Sequence, residues 1–273
     1  MATNHKAIVA IDVDGTLLDS ENNISKGAEK AITRLREQGI ISVLASGRSM
    51  DGVSPYYDEL DLAPYLIGAG GGLISTISGE VIKAFEFPDA VISAVIQIGR
   101  EFKVGIALHQ VDNLRFESTN EQIKIINRNL PGELLRLDDL TTAIPISPVV
   151  KFTLWSDHEL LLHAQDKIRS LDIPVDTLFS GELFLEITNP GVSKGHALMF
   201  LAQHLNIPQN RIAAIGDQFN DVSMFETASL SIAMGNAPDA VKSAAQIIAP
   251  NNNDGGLAWG LENVVLKIWS DQN

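Results

Sequence analysis

The chain has 273 residues, of which 45% are hydrophobic and 20% are charged, a composition that excludes a largely disordered protein. Its 34 acidic residues outnumber its 20 Lys and Arg residues, and the formal net charge of −14 disfavours nucleic acid and anionic membranes as partners. The length suits one main core with an inserted lobe.

The N-terminal segment reaches its first acidic residue after a short apolar run. Only five apolar residues, 7–11, precede Asp12, too few for a signal-peptide core or a membrane span. The chain also lacks cysteine, which excludes disulfides and thiol catalysis and suits a cytosolic protein. We therefore expect a cytoplasmic protein that does not bind membranes. A monomer or weak homodimer is a separate expectation, which these features do not decide.

Asp12 and Asp14 directly follow this apolar run. An unbroken run is typical of a parallel strand covered on both faces, and ligands gather beyond the carboxyl ends of such strands. Gly15 permits a sharp turn that returns Asp14 to the same pocket. Two carboxylates about 4 Å apart repel by about 4 kcal/mol at an effective dielectric of 20, so a cation or shared proton is expected. The alternative is a simple turn capped by Asp; an EF-hand is excluded because Gly15 comes too early.

The next elements complete a strand, helix, strand unit. Ser25 is predicted to cap a helix that runs through Gln38, and the apolar run 40–45 then ends at Ser46. Because crossovers between parallel strands are right-handed, the two strands are expected to be parallel neighbours.

Residues 82–186 lack this regular alternation and predict an inserted α+β lobe. Its expected elements are helices over 89–102, near 121–128 and over 157–171, strands over 104–109 and 149–155, and a hairpin around 180–182. The parallel pattern resumes after Gly191, with a helix capped by Ser193, a strand over 212–215 and shorter strands near 230–233 and 246–248. The predicted fold is α/β, with a Rossmann-like parallel core, residues 1–81 and 187–273, and the lobe as a cap.

A glycine-rich run and four polar residues of the lobe each have a functional and a structural interpretation. The run Gly68–Gly72 fails the dinucleotide template because Leu73 occupies the last glycine position, and it is interpreted as close-packed backbone leading into the lobe. Four residues of the lobe are candidates for substrate contacts, with solvated charge as the alternative for each: His109, Arg115, Arg128 and Lys151.

Four short motifs fall where strand ends or helix starts should face one crevice: residues 12–16, 45–48, 193–195 and 216–221. Together they supply a carboxylate nucleophile, a second carboxylate, a hydroxyl group with backbone amides, an ammonium group and an acidic loop. Phosphoryl transfer needs these groups because positioning and charge neutralisation catalyse it.

With these motifs the whole chain resembles the haloacid dehalogenase superfamily, and within it the Cof-type phosphatases with a type IIB cap. The similarity is strongest in residues 191–195, 216–221, 223–224 and 233–237. The resemblance implies a Mg²⁺-dependent phosphatase acting on small phosphomonoesters, sugar phosphates or related metabolites, through an aspartyl-phosphate intermediate, with the cap closing over the site.

The resemblance also implies roles for the acidic residues. Asp12 is the expected nucleophile and Asp14 the general acid and base. Mg²⁺ is expected on an oxygen of Asp12, the backbone carbonyl of Asp14 and the carboxylate of Asp217, with Asp221 as a further ligand or as an orienting residue. For Asp217 and Asp221 the alternative is ordinary helix capping.

Lys194 is the third expected catalytic residue, and it is also expected to bind the phosphate with Ser46, Gly47 and Asn220. The alternative interpretation of Lys194 is an exposed lysine in the first turn of a helix. The alternative interpretation of Ser46 is a helix cap. Arg48 could assist, although a solvated loop arginine is an equal interpretation.

Two other functions stay open. A phosphosugar mutase would use the same aspartyl chemistry, and a catalytically silent regulator would keep only phospho-ligand binding. Dehalogenase chemistry is disfavoured because Asp14 supplies the acid and base that phosphoryl transfer needs, and a receiver domain is too compact for this chain.

Overall fold

The computed structural model describes residues 5–48, 50, 52–119, 122–123, 134–144 and 146–270. Its strands are β1 Ala7–Ile11, β2 Ile40–Ala45, β3 Tyr65–Gly68, β4 Leu73–Thr76, β5 Val81–Ala84, β6 Gly105–Gln110, β7 Leu114–Glu117, β8 Leu134–Arg136, β9 Val149–Trp155, β10 Asp176–Gly181, β11 Phe184–Thr188, β12 Ile212–Gly216, β13 Leu230–Ala233 and β14 Ile247–Ile248.

The helices are α1 Lys26–Glu37, α2 Ser54–Leu60, α3 Asp89–Glu101, α4 His158–Ser170, α5 Lys194–His204, α6 Val222–Thr227, α7 Asp239–Ala244, α8 Gly256–Gly260 and α9 Lys267–Ser270. A π-helical segment, Leu261–Leu266, joins the last two. Among the described residues, no helix is both long and apolar enough to cross a membrane.

The large sheet has the strand order β14-β13-β12-β1-β2-β3-β4-β5. The six strands from β14 to β3 are parallel, whereas β4 and β5 are antiparallel additions at one edge. Both faces of β1 are buried: Val9 and Ile11 pack in the cluster with α1, and Ile8 and Ala10 in the cluster with α5. The unbroken apolar run of β1 is explained by this two-sided burial.

The second sheet has the order β10-β11-β9-β6-β7-β8 and is antiparallel except for the pair β7–β8. Helices α3 and α4 cover one of its faces in a shared hydrophobic cluster. The predicted fold, a parallel α/β core with a second, mixed lobe, is therefore confirmed. Since the predicted limits 82 and 186 fall within β5 and β11, we propose that the inserted lobe comprises about residues 85–188.

The local predictions hold with small differences. The Ser25 side chain accepts a hydrogen bond from the Ala28 amide and caps α1, as expected. Asp157 precedes α4 but forms no capping bond through its side chain. The hairpin turn lies at residues 182–183, because β10 continues to Gly181. Of the helix expected near 121–128, only residues 122–123 are described.

Candidate active site

The centre of the site is a buried lysine between two carboxylates. Asp12 follows β1, and its amide still donates to the Ile215 carbonyl of neighbouring β12. The Lys194 ammonium, at the start of α5, lies 2.6 Å from Asp12 Oδ1 and 2.6 Å from Asp221 Oδ1. Lys194 is only 1% exposed, so the interpretation as a solvated surface lysine is wrong. A buried cation in this position offsets carboxylates that burial would otherwise penalise.

Asp217 directly follows β12 and accepts hydrogen bonds from three side chains, one of them adjacent and two from other parts of the chain. Thr16 Oγ1 donates to Asp217 Oδ1 at 3.0 Å, while Asn236 Nδ2 and Gln218 Nε2 each donate to Oδ2 at 3.2 Å. Gly15 has φ +82°, and a Cβ atom there would lie 2.5 Å from Asp217 Oδ2. Only glycine therefore permits the turn after β1 to pass so close to this carboxylate.

Asp221 combines capping with charge pairing. Its Oδ2 accepts hydrogen bonds from the backbone amides of Asp217 and Gln218, both at 2.9 Å, while Oδ1 accepts from Lys194. The capping interpretation was correct for its backbone contacts but incomplete, because the same carboxylate belongs to the buried charge cluster.

The pKa values follow from this burial and crowding. Burial and the charge of Asp221 raise the pKa of Asp12 well above its ordinary value. The same two causes raise the pKa of Asp217 to about 6. Burial alone would lower the pKa of Lys194, but the carboxylates of Asp12 and Asp221 outweigh it and raise the pKa above its ordinary value. The site thus favours any cation that neutralises its carboxylates.

The donor set fits a hard divalent cation. Asp12, Asp217 and Asp221 each place a carboxylate oxygen within 4.8 Å of the others. One ammonium group cannot neutralise three carboxylates, and an all-oxygen set is what Mg²⁺ or Ca²⁺ prefers. Asp221 accepts hydrogen bonds from two backbone amides and from the buried Lys194, so these contacts orient the site whether or not Asp221 also binds the metal directly.

The expected phosphate-binding residues lie around the same centre. Ser46 is buried at the end of β2, and its Oγ accepts from the Arg48 amide at 3.1 Å. It stabilises the turn after β2, and in the described part of this segment the next helix, α2, begins only at Ser54, so the helix-cap interpretation is wrong. Asn220 Oδ1 is buried without a hydrogen-bond partner among the described residues. Gly47, Asn220 and Lys194 line one cavity with Asp12 and Asp14.

Arg48 is not a solvated loop residue. It is 8% exposed, and its Nε donates to Asp14 Oδ2 at 2.8 Å while Nη2 donates to Oδ1. From the sequence, a solvated and a functional Arg48 were equal interpretations, because a polar loop sequence does not show whether its side chains are buried. Its environment depends on α2, which packs beside the turn and supplies Tyr56 as a further partner.

The cavity, of about 250 Å³, has a roof formed by the second sheet. Lys151 on β9 and Glu186 on β11 form an ion pair of 3.1 Å there, with side chains 2% and 13% exposed. A Cβ atom at Gly47 would lie 3.5 Å from Lys151 Nζ, so the lobe's charged pair reaches the turn after β2 in the core. Lys151 was a candidate from sequence; Glu186 was missed, because alternation along a strand does not reveal which face covers a site.

Two of the other lobe candidates, His109 and Arg115, do not line this cavity. His109 is buried, and its Nε2 lies 2.9 Å from Thr153 Oγ1. Arg115 forms hydrogen bonds with Asp112 and Gln110 within its own hairpin. Arg128 lies outside the described residues.

The Gly68–Gly72 run is close-packed, as predicted. A Cβ atom at Gly71 would lie 2.2 Å from the Ser193 carbonyl oxygen, and one at Gly72 would lie 2.5 Å from the Val150 carbonyl oxygen. The run therefore packs between the start of α5 and β9 of the lobe.

A larger cavity, of about 580 Å³, lies near the opposite, amino-terminal ends of β2 and β3. Its walls include Ile40, Pro64 and Tyr65 and none of the acidic residues described above. Size alone would favour it, but Asp12, Asp14 and Lys194 line the cavity of about 250 Å³ and not this larger one.

Known proteins match this chain in sequence and in structure over almost its whole length. The sequence model of a family described as haloacid dehalogenase-like hydrolase matches residues 9–261. A putative phosphatase of Haemophilus influenzae is 29% identical over 266 residues, which cover 94% of this chain and 97% of that protein. The pyridoxal phosphate phosphatase of Escherichia coli is 28% identical over 260 residues, or 92% and 96% of the two chains. The crystal structure of a haloacid dehalogenase-like hydrolase from Bacteroides thetaiotaomicron has a TM-score of 0.82 at 27% identity and covers 94% of this chain and 99% of that one.

Proposed function

Since this chain belongs to the haloacid dehalogenase-like hydrolases, as its motifs predicted, we propose that it is a Mg²⁺-dependent phosphatase that hydrolyses small phosphomonoesters through an aspartyl-phosphate. The observation that carries the proposal is the cluster of Asp12, Asp217 and Asp221 around the buried Lys194 ammonium. The Haemophilus influenzae relative, by its name a putative phosphatase, supports phosphatase activity. The Escherichia coli relative, by its name a pyridoxal phosphate phosphatase, supports a small phosphorylated metabolite as substrate.

In the proposed reaction Asp12 attacks phosphorus, and Asp14 gives a proton to the leaving oxygen. Asp14 then takes a proton from the water that hydrolyses the aspartyl-phosphate. Lys194, which already neutralises Asp12, binds the phosphate with the backbone at Ser46 and Gly47 and the Asn220 amide.

Asp12, Asp217 and the backbone carbonyl of Asp14 would hold the metal ion, with Asp221 orienting them. When bound, Mg²⁺ would neutralise charge on the phosphoryl oxygens and on the carboxylates.

A screen of phosphate release over phosphorylated metabolites, with Mg²⁺ and with chelator, tests the proposal. Asp12→Asn should abolish turnover, because an amide cannot attack phosphorus, whereas Asp58→Asn, at an exposed position on α2, should not. Undiminished turnover in Asp12→Asn would refute the assignment of Asp12 as the nucleophile. Net isomerisation without stoichiometric phosphate release would indicate a mutase, and ligand binding without turnover a regulator.

We further propose that the leaving group is a neutral, hydroxyl-bearing group, as in a sugar phosphate. A carboxylate beside the Lys151–Glu186 pair would be repelled by Glu186, and an amine by Lys151. A hydroxyl group can donate to the carboxylate and accept from the ammonium without separating the pair. A cavity of about 250 Å³ also limits the substrate to a small molecule.

Glu186→Gln keeps the shape but removes the charge, so KM for a sugar phosphate should rise about 10-fold. The kcat/KM for p-nitrophenyl phosphate, whose leaving group has no hydroxyl chain, should change less than about 3-fold. Equal effects on both substrates would contradict this substrate class. Assignment to the cytoplasm and a monomeric or weakly dimeric state stay predictions.

A further inference from the structure

Arg48 binds the carboxylate of Asp14 with both arms of its guanidinium group. Nε donates to Oδ2 at 2.8 Å, and Nη2 donates to Oδ1. The arginine side chain is 8% exposed and the aspartate side chain 59% exposed. A bidentate pair of this kind fixes direction as well as charge, because the planar fork matches the two carboxylate oxygens.

Groups other than Asp14 fix the arginine itself. Nη1 donates to the Gly52 carbonyl and to Tyr56 Oη, both at 3.2 Å, and the guanidinium carbon lies 6.0 Å from the centre of the Tyr56 ring. The Arg48 amide is bound to Ser46 Oγ. The loop after β2 and helix α2 therefore hold the Arg48 guanidinium group in place independently of its contact with Asp14.

The Asp14 side chain has no comparable support of its own. Among the residues that the structure describes, Arg48 supplies the hydrogen bonds to its carboxylate, and an exposed side chain is not held by packing. Asp12, two residues earlier, is bound to Lys194 instead. Each of the two carboxylates is thus paired with a different cation, which keeps them apart.

We propose that Arg48 is a positioning residue that holds the Asp14 carboxyl group at the mouth of the cavity, where the leaving oxygen of the substrate departs. The inference rests on the proposed function, in which Asp14 is the general acid. As the bond from Asp12 to phosphorus forms, the bond from phosphorus to the leaving oxygen breaks, and the proton of the Asp14 carboxyl passes to that oxygen. The carboxylate left behind accepts at both oxygens from Arg48, so the contact strengthens as the proton leaves.

The dependence of rate on the leaving group tests this role. An alkyl phosphate needs a proton on its leaving oxygen, whereas p-nitrophenyl phosphate releases a stable anion. General acid catalysis contributes about 10²–10⁴-fold. Arg48→Met should therefore lower kcat/KM for an alkyl phosphate about 100-fold, and that for p-nitrophenyl phosphate less than about 5-fold. Here kcat/KM is the correct quantity because it covers the steps up to departure of the leaving group.

Two further variants separate positioning from a structural role. Asp14→Asn should show the same dependence on the leaving group. The double variant of Asp14→Asn with Arg48→Met should be no more than about 2-fold slower than Asp14→Asn alone, since Arg48 acts through Asp14. Arg48→Lys retains a buried cation and the fold but lacks the fork, and it should give an intermediate loss. Arg100→Met, which removes an arginine bound by both arms to Glu117 on the lobe surface, should leave the ratio of the two substrates unchanged.

The outcomes distinguish this inference from the function on which it rests. If Asp14→Asn lowers kcat/KM equally for both substrates, Asp14 is not the general acid, and the positioning role of Arg48 is refuted as well. A leaving-group dependence in Asp14→Asn but in neither Arg48 variant would overturn the positioning role alone. Losses that multiply in the double variant would overturn it as well.

Discussion

Replacing Lys194 with methionine would remove the ammonium group and retain a similar apolar stem. The group is 2.6 Å from two carboxylate oxygens, in a cluster of three carboxylates whose oxygens lie within 4.8 Å of one another. Two unit charges at 4.8 Å repel by about 3.5 kcal/mol at an effective dielectric of 20. Removing one partner of a buried ion pair costs about 3–5 kcal/mol, and we expect this loss in the free energy of unfolding of the metal-free protein.

A divalent cation should partly replace the missing charge. Mg²⁺ should therefore stabilise Lys194→Met more than it stabilises the parent protein, because the variant has more unneutralised carboxylate charge at the site. Urea denaturation followed by circular dichroism, with EDTA and with Mg²⁺, measures both quantities. The matched control is Lys242→Met, which removes a lysine 3.8 Å from the fully exposed Asp239 and should cost less than about 0.5 kcal/mol.

Two results would refute this reasoning. One is a loss below about 1 kcal/mol in EDTA, which would mean that the buried carboxylates do not need the ammonium group. The other is an equal Mg²⁺ increment in the variant and the parent, which would mean that the metal does not interact with the same charges.

Three other perturbations have defined outcomes. The pKa of Asp217 is raised from 3.8 to about 6, so its contribution to the stability of the metal-free protein is present below about pH 4 and is lost as pH rises through 6. Mg²⁺, which needs the carboxylate, should then raise Tm more at pH 7.5 than at pH 5, and equal shifts would contradict the assignment. Thr16→Val removes a donor to Asp217 and should weaken Mg²⁺ binding about 10-fold by calorimetry; an unchanged Kd would exclude this support. Gly71→Ala adds a Cβ atom 2.2 Å from the Ser193 carbonyl oxygen at φ +104° and should cost about 2–4 kcal/mol. Gly79→Ala, at φ +90° in open space, should cost about 1 kcal/mol, so equal losses in denaturation would refute the packing argument.

Local patterns were enough to predict the architecture and the acidic centre. The unbroken apolar run before Asp12 predicted a strand buried on both faces, and the Ser25 and Ser193 caps marked helix starts because capping depends on neighbouring residues only. Parallel strands bring their carboxyl ends to one edge, so Asp12 and Asp217 were expected to meet although they are far apart in sequence.

The partners of these residues were decided by tertiary structure. Arg48 could be solvated or buried from sequence alone, and only the packing of its loop against α2 fixes it on Asp14. Glu186 faces Lys151 because β11 lies beside β9 in the lobe and the lobe lies over the core. Periodicity reports which residues share a face of one element, whereas a contact between elements depends on how they pack. The sequence by itself therefore determined the reactive groups, and the tertiary structure determined which charges neutralise and orient them.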